Sequence, residues 1–383
     1  MIGYGRQSIS QEDIDTVVDV LNSNSLTQGP VVNAFEKALA DKCQSKHALA
    51  VCNGTAALHL ACLALEIEKD DLVWVSSVSF VASANCAKYC GAEVSFVDID
   101  PNSGLICTTE LAQKLKNAEN NGLLPKALIV VHLAGQSCDM KTISSLCQQY
   151  DIKIIEDACH ALGGQYESKP IGSCQYSDIS VFSFHPVKPI TSGEGGALLT
   201  NKKELANRAR LYANHGIVRD EEKLQHSTQG PWYYEMQALG YNYRLTDLQA
   251  ALGLSQLKRL TDFTLKRNQI AKLYTDALES MKLPFQHLQQ SIGQISAYHL
   301  YVVRQSSHLS QSQLFKRMHE QGIGCQLHYI PIFMHPYYAA STDAQSFPGA
   351  LEYYHSALSL PLFPDMDEKT IHKVLNVLSN CCR

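Results

Sequence analysis

The sequence predicts an α/β protein with a mostly parallel central sheet, followed by a smaller α+β domain. Two observations predict this fold. Short β-branched and aliphatic runs alternate with helical patterns through the first two-thirds of the chain, as in a parallel sheet covered by helices. Several of these runs are apolar along nearly their full length, as expected for strands buried on both faces. With 383 residues, the chain is long enough for one large and one smaller domain.

The first two-thirds of the chain contains the strands of the predicted central sheet. Amphipathic segments at 110–117 and 139–149 are candidate helices between them. No internal repeat or low-complexity tract interrupts the alternation. In chain order, the predicted strands are Ala48–Cys52, Leu72–Ser76, Glu93–Val97, Ala127–His132, Ile152–Asp157, Asp178–Ser183 and Gly196–Thr200.

A long helical pattern leads into the second domain. It begins near Thr246 and runs past Leu273, and Thr246 and Gln249 have the spacing of a capping box. We interpret this helix as the bridge between a large domain at 1–250 and a small domain at 251–383. Within the small domain, the patterns predict a strand at Tyr298–Val303, a helix at Ser310–Gln321 closed by Gly322, a strand at Ile323–Tyr329 and a final helix at Asp367–Leu378.

The composition is typical of a globular enzyme, with 45% hydrophobic and 18% charged residues, and argues against disorder. The formal net charge of −5 gives no indication of a nucleic-acid-binding surface, which would show as a basic stripe. The amino terminus lacks the apolar run of a secretory signal, and no stretch approaches the roughly 18 apolar residues that a membrane span needs. We therefore expect a cytoplasmic protein that binds neither nucleic acid nor membranes.

The 13 cysteines are scattered through apolar segments, and no C-x-x-C pair occurs. This pattern indicates neither a zinc site nor a disulfide framework, so we expect reduced thiols and no bound metal. The adjacent Cys381 and Cys382 are expected to be exposed thiols without a function.

The central chemical signal is the segment SFHPVKPITSGEGG at 183–196, in which Lys188 follows a predicted strand and lies between two prolines. We expect its amine to lie near the carboxyl edge of the sheet. Desolvation there would lower the pKa of the lysine, and the neutral amine is the form that attacks an aldehyde. Taken alone, Lys188 has the alternative interpretation of a solvated loop lysine. The surrounding motif argues against that alternative.

An apolar predicted strand ends in the carboxylate of Asp157. A buried carboxylate needs a cationic partner, and a protonated pyridine nitrogen is such a partner. This ion pair would keep the ring cationic and able to accept electrons. A helix cap or an exposed loop acid is the alternative for Asp157. His160, three residues later, is a candidate contact for the ring or its phenolic oxygen, or else a structural histidine.

Asn53-Gly54-Thr55 places a glycine and a hydroxyl between a predicted strand and a helix. Free backbone amides at the start of that helix, together with its dipole, would bind a phosphate, and Ser183 could add a hydroxyl to the same anion. Phe80 is a candidate for stacking on a flat ring, with core packing as its alternative. Strand–glycine–helix turns are common, so this feature is weak evidence by itself.

Together, these features supply a phosphate cradle, a stacking face, a pyridinium partner and an amine nucleophile, in chain order. Ligands of α/β sheets gather at the carboxyl ends of strands, where all four features are expected. The combination fits one cofactor, pyridoxal phosphate.

The chain resembles the DegT/DnrJ/EryC1/StrS family of sugar aminotransferases, a branch of the fold-type I enzymes that depend on pyridoxal phosphate. The resemblance covers nearly the whole chain. It lies in the segments Leu26–Pro30 (LTQGP), Asn53–Thr55 (NGT), Glu156–Gly163 (EDACHALG), 183–196 around Lys188, Gly240–Arg244 (GYNYR) and Leu358–Pro364 (LSLPLFP).

The resemblance implies roles for individual residues. Lys188 is similar to the lysine that holds the cofactor covalently, and Asp157 to the partner of its pyridine nitrogen. Asn242 is similar to a family residue that reaches the phosphate across a dimer interface, which implies a homodimer with shared active sites. The residues implied to bind the cofactor are Gly54, Thr55, Phe80, Asp157, His160, Ser183, Lys188 and Asn242.

Within the family, Tyr4–Ile9 (YGRQSI) and His185–Thr191 (HPVKPIT) resemble the branch that acts in pseudaminic acid synthesis. The resemblance implies transfer of an amino group from L-glutamate to C4 of a UDP-4-keto-6-deoxy-N-acetylhexosamine. The residues implied to line the sugar-nucleotide pocket are Tyr4, Asn24, Ser25, Leu26, Thr27, Gly54, Gln326, Leu327, His328 and Tyr329.

Three alternatives stay open at this point. The substrate could be another nucleotide keto-sugar, such as a UDP-4-keto-pentose or a dTDP-keto-deoxyhexose. The related sugar dehydratases carry a histidine at the lysine position, so Lys188 speaks against a dehydratase. A non-catalytic regulatory protein with this fold is opposed by the presence of Lys188, Asp157 and Ser183. The sequence shows no dedicated clamp for the carboxylates of glutamate.

Overall fold

A seven-stranded sheet forms the centre of the molecule. The computed structural model describes residues 1–226, 229–291, 293–306 and 310–381. The strands are β1 (His47–Val51), β2 (Leu72–Ser76), β3 (Glu93–Val97), β4 (Ala127–Val131), β5 (Lys153–Asp157), β6 (Gln165–Tyr166), β7 (Lys169–Pro170), β8 (Ile179–Ser183), β9 (Gly196–Thr200), β10 (Ile217–Val218), β11 (Glu235–Met236), β12 (Phe285–His287), β13 (Tyr301–Gln305) and β14 (Ala357–Leu360).

Helices precede, connect and follow these strands. The α-helices are α1 (Gln11–Leu21), α2 (Pro30–Cys43), α3 (Gly54–Ala64), α4 (Ala82–Tyr89), α5 (Thr108–Asn121), α6 (Met140–Gln148), α7 (Lys203–Ala213), α8 (Asp247–Lys258), α9 (Leu260–Ser280), α10 (Gln311–Glu320), α11 (Pro336–Ala339), α12 (Pro348–Ser356) and α13 (Glu368–Cys381). Short 3₁₀ turns lie at Leu133–Gly135, Glu221–Lys223, Ile332–Met334 and Ala344–Ser346.

The central sheet has the strand order β1-β9-β8-β5-β4-β2-β3. β9 is antiparallel to both of its neighbours, and the other pairings in this sheet are parallel. The prediction of a mostly parallel sheet is therefore confirmed. β1, β2, β4, β5 and β8 run in the same direction, so their carboxyl ends meet at one edge of the sheet, which is where the side chains discussed below lie.

The apolar character of the strands follows from their burial. All five residues of β4 are buried, and Ile155 in β5 and Val181 in β8 have no exposed surface. Burying such a side chain contributes about 1.5–3 kcal/mol each. The hydrophobic runs from which the strands were predicted therefore also stabilise the sheet, because their side chains are buried on both of its faces.

The predicted long helix from Thr246 is two helices. The capping box is present, since the Gln249 backbone N–H donates to the Thr246 hydroxyl at 3.2 Å and the Thr246 N–H donates to the Gln249 side chain. α8 ends and α9 begins on either side of Arg259, whose backbone has a ψ of −3°. Arg259 donates to the Asp13 carboxylate at 3.1 Å, so a contact with α1 holds the position where the predicted helix is interrupted.

The strand predicted at Ile323–Tyr329 is wrong. This segment makes only single bridges, Ile2 with Ile323 and Gln326 with Ser359, before it turns towards the sheet edge. The strand at Tyr298–Val303 is displaced to β13, because Tyr298 has a left-handed φ of 42° that no strand continues. β13 pairs with β12 and β14 in an antiparallel three-stranded sheet.

Cys381, predicted to be exposed, is 5% exposed in α13, where it packs with Leu378 and Val374 in a second hydrophobic core. Cys382 lies outside the described residues. The division at residue 250 stays a prediction, although β12, β13 and β14 do form a separate sheet after it. Across the described part of the chain, no helix is both long and apolar enough to span a membrane.

Candidate active site

A cavity of about 770 Å³ opens at the carboxyl edge of the central sheet. It lies where α/β folds usually bind ligands. The residues that line it are Tyr4, Asn53, Gly54, Thr55, Leu58, Ser79, Phe80, Val81, Ala82, Val131, Asp157, Cys159, His160, Ser183, His185, Val187, Lys188, Glu194, His299, Gln326, Leu327, His328, Tyr329, Ile330 and His335.

Lys188 lies in the connection between β8 and β9, which are antiparallel. The Phe184 N–H donates to the Gly195 carbonyl at 2.8 Å, and the Lys188 N–H donates to the His185 carbonyl at 2.9 Å, so the turn around the lysine is held at both ends. Burial lowers the pKa of Lys188, although the nearby Asp157 carboxylate opposes that shift. The amine is therefore neutral more often than that of a solvated lysine, and the neutral form is the nucleophile.

Asp157 ends β5 as a buried carboxylate that is 6% exposed. The Ser83 hydroxyl donates to its Oδ2 at 2.6 Å, and the Cys159 backbone N–H donates to its Oδ1 at 3.2 Å. Among the described residues, neither hydrogen bond comes from a charged group. The charge of a buried carboxylate therefore calls for a cation from outside these contacts.

The amino end of α3 forms an anion-binding cradle. Asn53 caps the helix by accepting a hydrogen bond from the Ala56 N–H at 2.8 Å, which leaves the Gly54 and Thr55 N–H groups without partners inside the helix. A Cβ atom at Gly54 would lie 2.9 Å from the Cβ of Ser183, so only glycine lets the Ser183 side chain approach this terminus.

A group of histidines and tyrosines forms another wall of the cavity. The Nε2 of His160 lies 3.0 Å from the Tyr329 hydroxyl, and the rings of His160 and His299 are 4.3 Å apart. The Nδ1 of His328 lies 2.9 Å from the Ser359 hydroxyl. Burial lowers the pKa of His328 to about 3 and lowers the pKa values of His160 and His299 well below their usual range. This wall is therefore uncharged at neutral pH.

Phe80 and Tyr4 reach the cavity from different parts of the chain. Phe80 is 57% exposed, and its ring lies 6.1 Å from that of Tyr329, so it is available to stack on a bound ring. Tyr4 lies near His328, with a ring distance of 5.0 Å, because the Leu362 N–H holds the Tyr4 carbonyl at 2.9 Å. The exposure of Phe80 excludes the alternative that its ring packs in the core.

Most predicted site residues meet in this cavity, but five do not. Asn24, Leu26, Thr27 and Asn242 are exposed and Ser25 is half-buried, and none of them lines the cavity of this single chain. Asn242 lies next to Tyr243, whose carbonyl accepts from the Cys52 N–H at 2.8 Å, so it sits beside the end of β1. Its side chain does not line the cavity described for the single chain.

Several lining residues were missed by sequence reasoning. His185 and Glu194 lie within six residues of Lys188, and that proximity could have found them. Cys159 lies between two predicted site residues. His299 had no such signal, because the nearest predicted site residue, Gln326, is 27 residues away in the sequence.

The cavity fits a phosphorylated pyridine aldehyde. The free amides at Gly54 and Thr55 suit its phosphate, and the amine of Lys188, whose pKa is lowered by burial, suits its aldehyde. Asp157 suits a ring nitrogen that carries a proton. The Nδ1 of His160 is buried without a hydrogen-bond partner among the described residues, as expected of an atom that contacts a ligand.

Comparison with known proteins agrees with this chemistry. The sequence pattern of the DegT/DnrJ/EryC1/StrS aminotransferase family matches residues 7–379. The chain belongs to this family. It is 38% identical over 381 residues to the UDP-4-amino-4,6-dideoxy-N-acetyl-beta-L-altrosamine transaminase of Campylobacter jejuni, covering 99% of this chain and 96% of that one. It is 36% identical to the spore coat polysaccharide biosynthesis protein SpsC of Bacillus subtilis, covering 98% and 95% of the two chains.

The fold of this family member is also that of solved sugar aminotransferases. The PseC aminotransferase of Helicobacter pylori superposes with a TM-score of 0.89 at 30% identity, covering 100% of this chain and 99% of that one. The protein is therefore a fold-type I, pyridoxal phosphate-dependent sugar aminotransferase. Membership of the family implies a nucleotide keto-sugar and an amino donor as its substrates.

The Gly54→Ala variant tests the anion cradle. Because the added Cβ would lie 2.9 Å from the Ser183 Cβ and 3.4 Å from the Cys159 Sγ, we expect Ser183 to be displaced. Losing one hydrogen bond to a charged phosphate should weaken pyridoxal phosphate binding by about tenfold or more. Titration of the apo-protein with the cofactor, followed by visible absorbance, measures the effect.

Gly3→Ala is the matched control for Gly54→Ala, because its added Cβ meets no atom closer than the Gly5 carbonyl oxygen at 3.7 Å. We expect this control to bind the cofactor like the unchanged protein. Equal affinity in the Gly54→Ala protein would remove the α3 terminus from the phosphate site.

Proposed function

We propose that the protein transfers the amino group of L-glutamate to C4 of UDP-2-acetamido-2,6-dideoxy-β-L-arabino-hex-4-ulose. The product would be UDP-4-amino-4,6-dideoxy-N-acetyl-β-L-altrosamine, for pseudaminic acid synthesis. The observation that carries this proposal is the 38% identity with the Campylobacter enzyme of that name over 99% of the chain. The likeness to PseC, an aminotransferase of pseudaminic acid biosynthesis, supports it.

In this proposal, Lys188 holds the cofactor and moves the proton. Pyridoxal phosphate, when bound, supplies an aldehyde that takes up the amino group and a ring that accepts the electrons released at the donor's α-carbon. The Nζ of Lys188 would remove the α-proton of glutamate as a general base and deliver it as a general acid. The same Nζ moves a proton in the opposite direction when the keto-sugar is aminated. Its lowered pKa favours the neutral amine that acts as the base.

Asp157 and Phe80 are proposed to orient the ring. The Asp157 carboxylate would hold the proton on the ring nitrogen, and the low exposure of its side chain keeps water from screening that ion pair. Phe80 would stack on the ring from the cavity side. His160 would contact the phenolic oxygen through its unpartnered Nδ1.

The phosphate is proposed to bind at the amino end of α3. The N–H groups of Gly54 and Thr55 and the hydroxyl of Ser183 would donate to it, and the helix dipole would add to the attraction. Asn53, by capping the helix, keeps these amides directed outwards.

The sugar nucleotide is proposed to enter between Tyr4 and the segment Gln326–Tyr329. These residues line the same cavity as the amino end of α3, and the neutral His328 offers hydrogen bonds without a charge. Uncharged donors and acceptors suit the hydroxyl and acetamido groups of a sugar. The cavity volume of about 770 Å³ is in the range of sites that bind small molecules and cofactors.

We also propose a homodimer with shared active sites. Asn242 would bind the phosphate of the partner's cofactor, and Asn24–Thr27 would complete the partner's sugar-nucleotide pocket. These residues are exposed or, for Ser25, half-buried in the single chain, and their absence from its own cavity supports this arrangement.

Product analysis tests the proposed substrate. Purified protein would be incubated with L-glutamate and one keto-sugar nucleotide in each of three reactions. The three sugars are the UDP-4-keto-6-deoxy-N-acetylhexosamine, a UDP-4-keto-pentose and a dTDP-keto-deoxyhexose. We expect the first to give the aminated sugar by mass spectrometry, with a kcat/KM at least about tenfold above the others, since a site built to hydrogen-bond an acetamido group disfavours a sugar that lacks it. A higher kcat/KM for either other sugar would refute the proposed substrate. The panel includes other sugars because the chain is also 36% identical to a Bacillus subtilis protein named for spore coat polysaccharide biosynthesis.

A further inference from the structure

Two buried hydroxyl groups lie in a row behind Asp157. The Ser83 Oγ lies 2.6 Å from the Asp157 Oδ2, and the Ser79 Oγ lies 2.7 Å from the Ser83 Oγ. Ser83 has no exposed surface, and Ser79 is 3% exposed. Both are therefore shielded from bulk water, and Ser79 alone of the two lines the cavity.

The direction of donation in this row follows from the carboxylate. An ionised carboxylate only accepts hydrogen bonds, so the single proton of the Ser83 hydroxyl points at Asp157. The Ser83 oxygen is then free to accept, and the Ser79 hydroxyl donates to it. The row thus runs from the cavity surface, through Ser79 and Ser83, to one oxygen of Asp157.

One turn of the chain places these groups. Residues 77–81 connect β2 to α4, and Ser83 lies in the first turn of that helix, where its N–H donates to the Phe80 carbonyl at 3.1 Å. Phe80 faces the cavity from the same turn. The segment therefore presents an aromatic ring to the cavity and a hydroxyl to the back of Asp157.

We propose that Ser83, oriented by Ser79, is a positioning residue that fixes the Asp157 carboxylate for its contact with the cofactor's ring nitrogen. This rests on the proposed function, in which Asp157 is the partner of that nitrogen. With Cys159 N–H on Oδ1 and Ser83 on Oδ2, both oxygens are held, and rotation of the carboxylate about its Cβ–Cγ bond is opposed. Short hydrogen bonds to a carboxylate are among the stronger ones in proteins.

Ser83→Ala is the first test. Loss of one hydrogen bond to a charged group should raise the dissociation constant of pyridoxal phosphate for the apo-protein by about tenfold. The kcat should fall by a similar factor, while KM for glutamate stays within about twofold, because Ser83 does not line the cavity. The pH dependence of the visible absorbance of the bound cofactor should also shift, an effect that a purely structural role would not produce.

The controls use other serines. Ser83→Thr keeps the hydroxyl and should restore most of the affinity. Ser77→Ala removes a hydroxyl that is equally buried but has no hydrogen-bond partner among the described residues, and it should leave affinity and spectrum unchanged. Should Ser83→Ala fail to fold, Ser79→Ala carries the same test with an expected loss of about threefold, below that of a direct hydrogen bond.

A double-mutant cycle decides the proposal. If Ser83 acts through Asp157, adding Ser83→Ala to Asp157→Asn should change the cofactor dissociation constant by no more than about twofold. Losses that simply add would overturn the role of Ser83 while leaving that of Asp157 intact. An Asp157→Asn protein with normal affinity would instead refute the proposed function of Asp157 itself, so the two failures are distinguishable.

Discussion

The Lys188→Ala protein is expected to lose the visible absorbance of the lysine-bound cofactor and nearly all turnover. No other amine lines the described cavity, so the covalent attachment and the proton transfer would be lost together. General acid–base catalysis alone is worth roughly 10²- to 10⁴-fold, and we expect a loss of at least that size. Absorbance spectra and steady-state rates with glutamate measure both effects.

Lys316→Ala is the control for the loss of a lysine, because Lys316 is exposed on α10, where its amine lies 3.9 Å from the carboxylate of Glu320. It should keep the spectrum and rate of the unchanged protein. Borohydride reduction of the unchanged protein, followed by peptide mass spectrometry, should find the cofactor on Lys188. Its recovery on any other lysine, or normal turnover by Lys188→Ala, would refute the assignment.

The Asp157→Asn protein is expected to bind pyridoxal phosphate more weakly and to react far more slowly. Asparagine keeps the size and the contact with Ser83 but has no charge to hold the proton on the ring nitrogen. Removing one partner of a buried ion pair costs about 3–5 kcal/mol, which corresponds to a loss of roughly 10²- to 10⁴-fold. Cofactor titration of the apo-protein and the rate of the glutamate half-reaction report it.

Glu156→Gln is the matched control for Asp157→Asn. Glu156 is the preceding residue of β5, so its side chain points to the other face of the sheet, where it lies 2.7 Å from the Nε2 of His132. The change is expected to lower thermal stability without altering cofactor affinity. Equal cofactor affinities in the two variants would mean that the position 157 charge has no role at the ring.

The strands and the main catalytic candidates could be predicted from local sequence. β2, β3 and β9 coincide with the predicted strands, and the other four strands of the central sheet differ from theirs by one residue at one end or at both. A strand with both faces covered has to be apolar along its whole length. Such a strand can therefore be predicted from consecutive residues of the sequence. Lys188 and Asp157 were found for a related reason, because Lys188 lies five residues after such a strand and Asp157 ends one.

The second half of the chain was harder to predict. The segment Ile323–Tyr329 has the composition of a strand, but in the structure β14 takes the place beside β13, and the segment turns towards the cavity instead. Backbone pairing is a choice between competing segments that are distant in sequence. The strand propensity of a single segment therefore does not predict which segments pair.

The sequence by itself determined the fold class, the family, the amine at Lys188 and the carboxylate at Asp157, because all of these depend on short-range patterns. Only the tertiary structure decided that β9 runs antiparallel to its neighbours, that the His299 ring lies 4.3 Å from that of His160, and that the Ser83 hydroxyl contacts Asp157. The physical reason is the distance along the chain between the partners. Ser83 and Asp157 are 74 residues apart, and only the packing of α4 against the sheet brings their side chains to 2.6 Å.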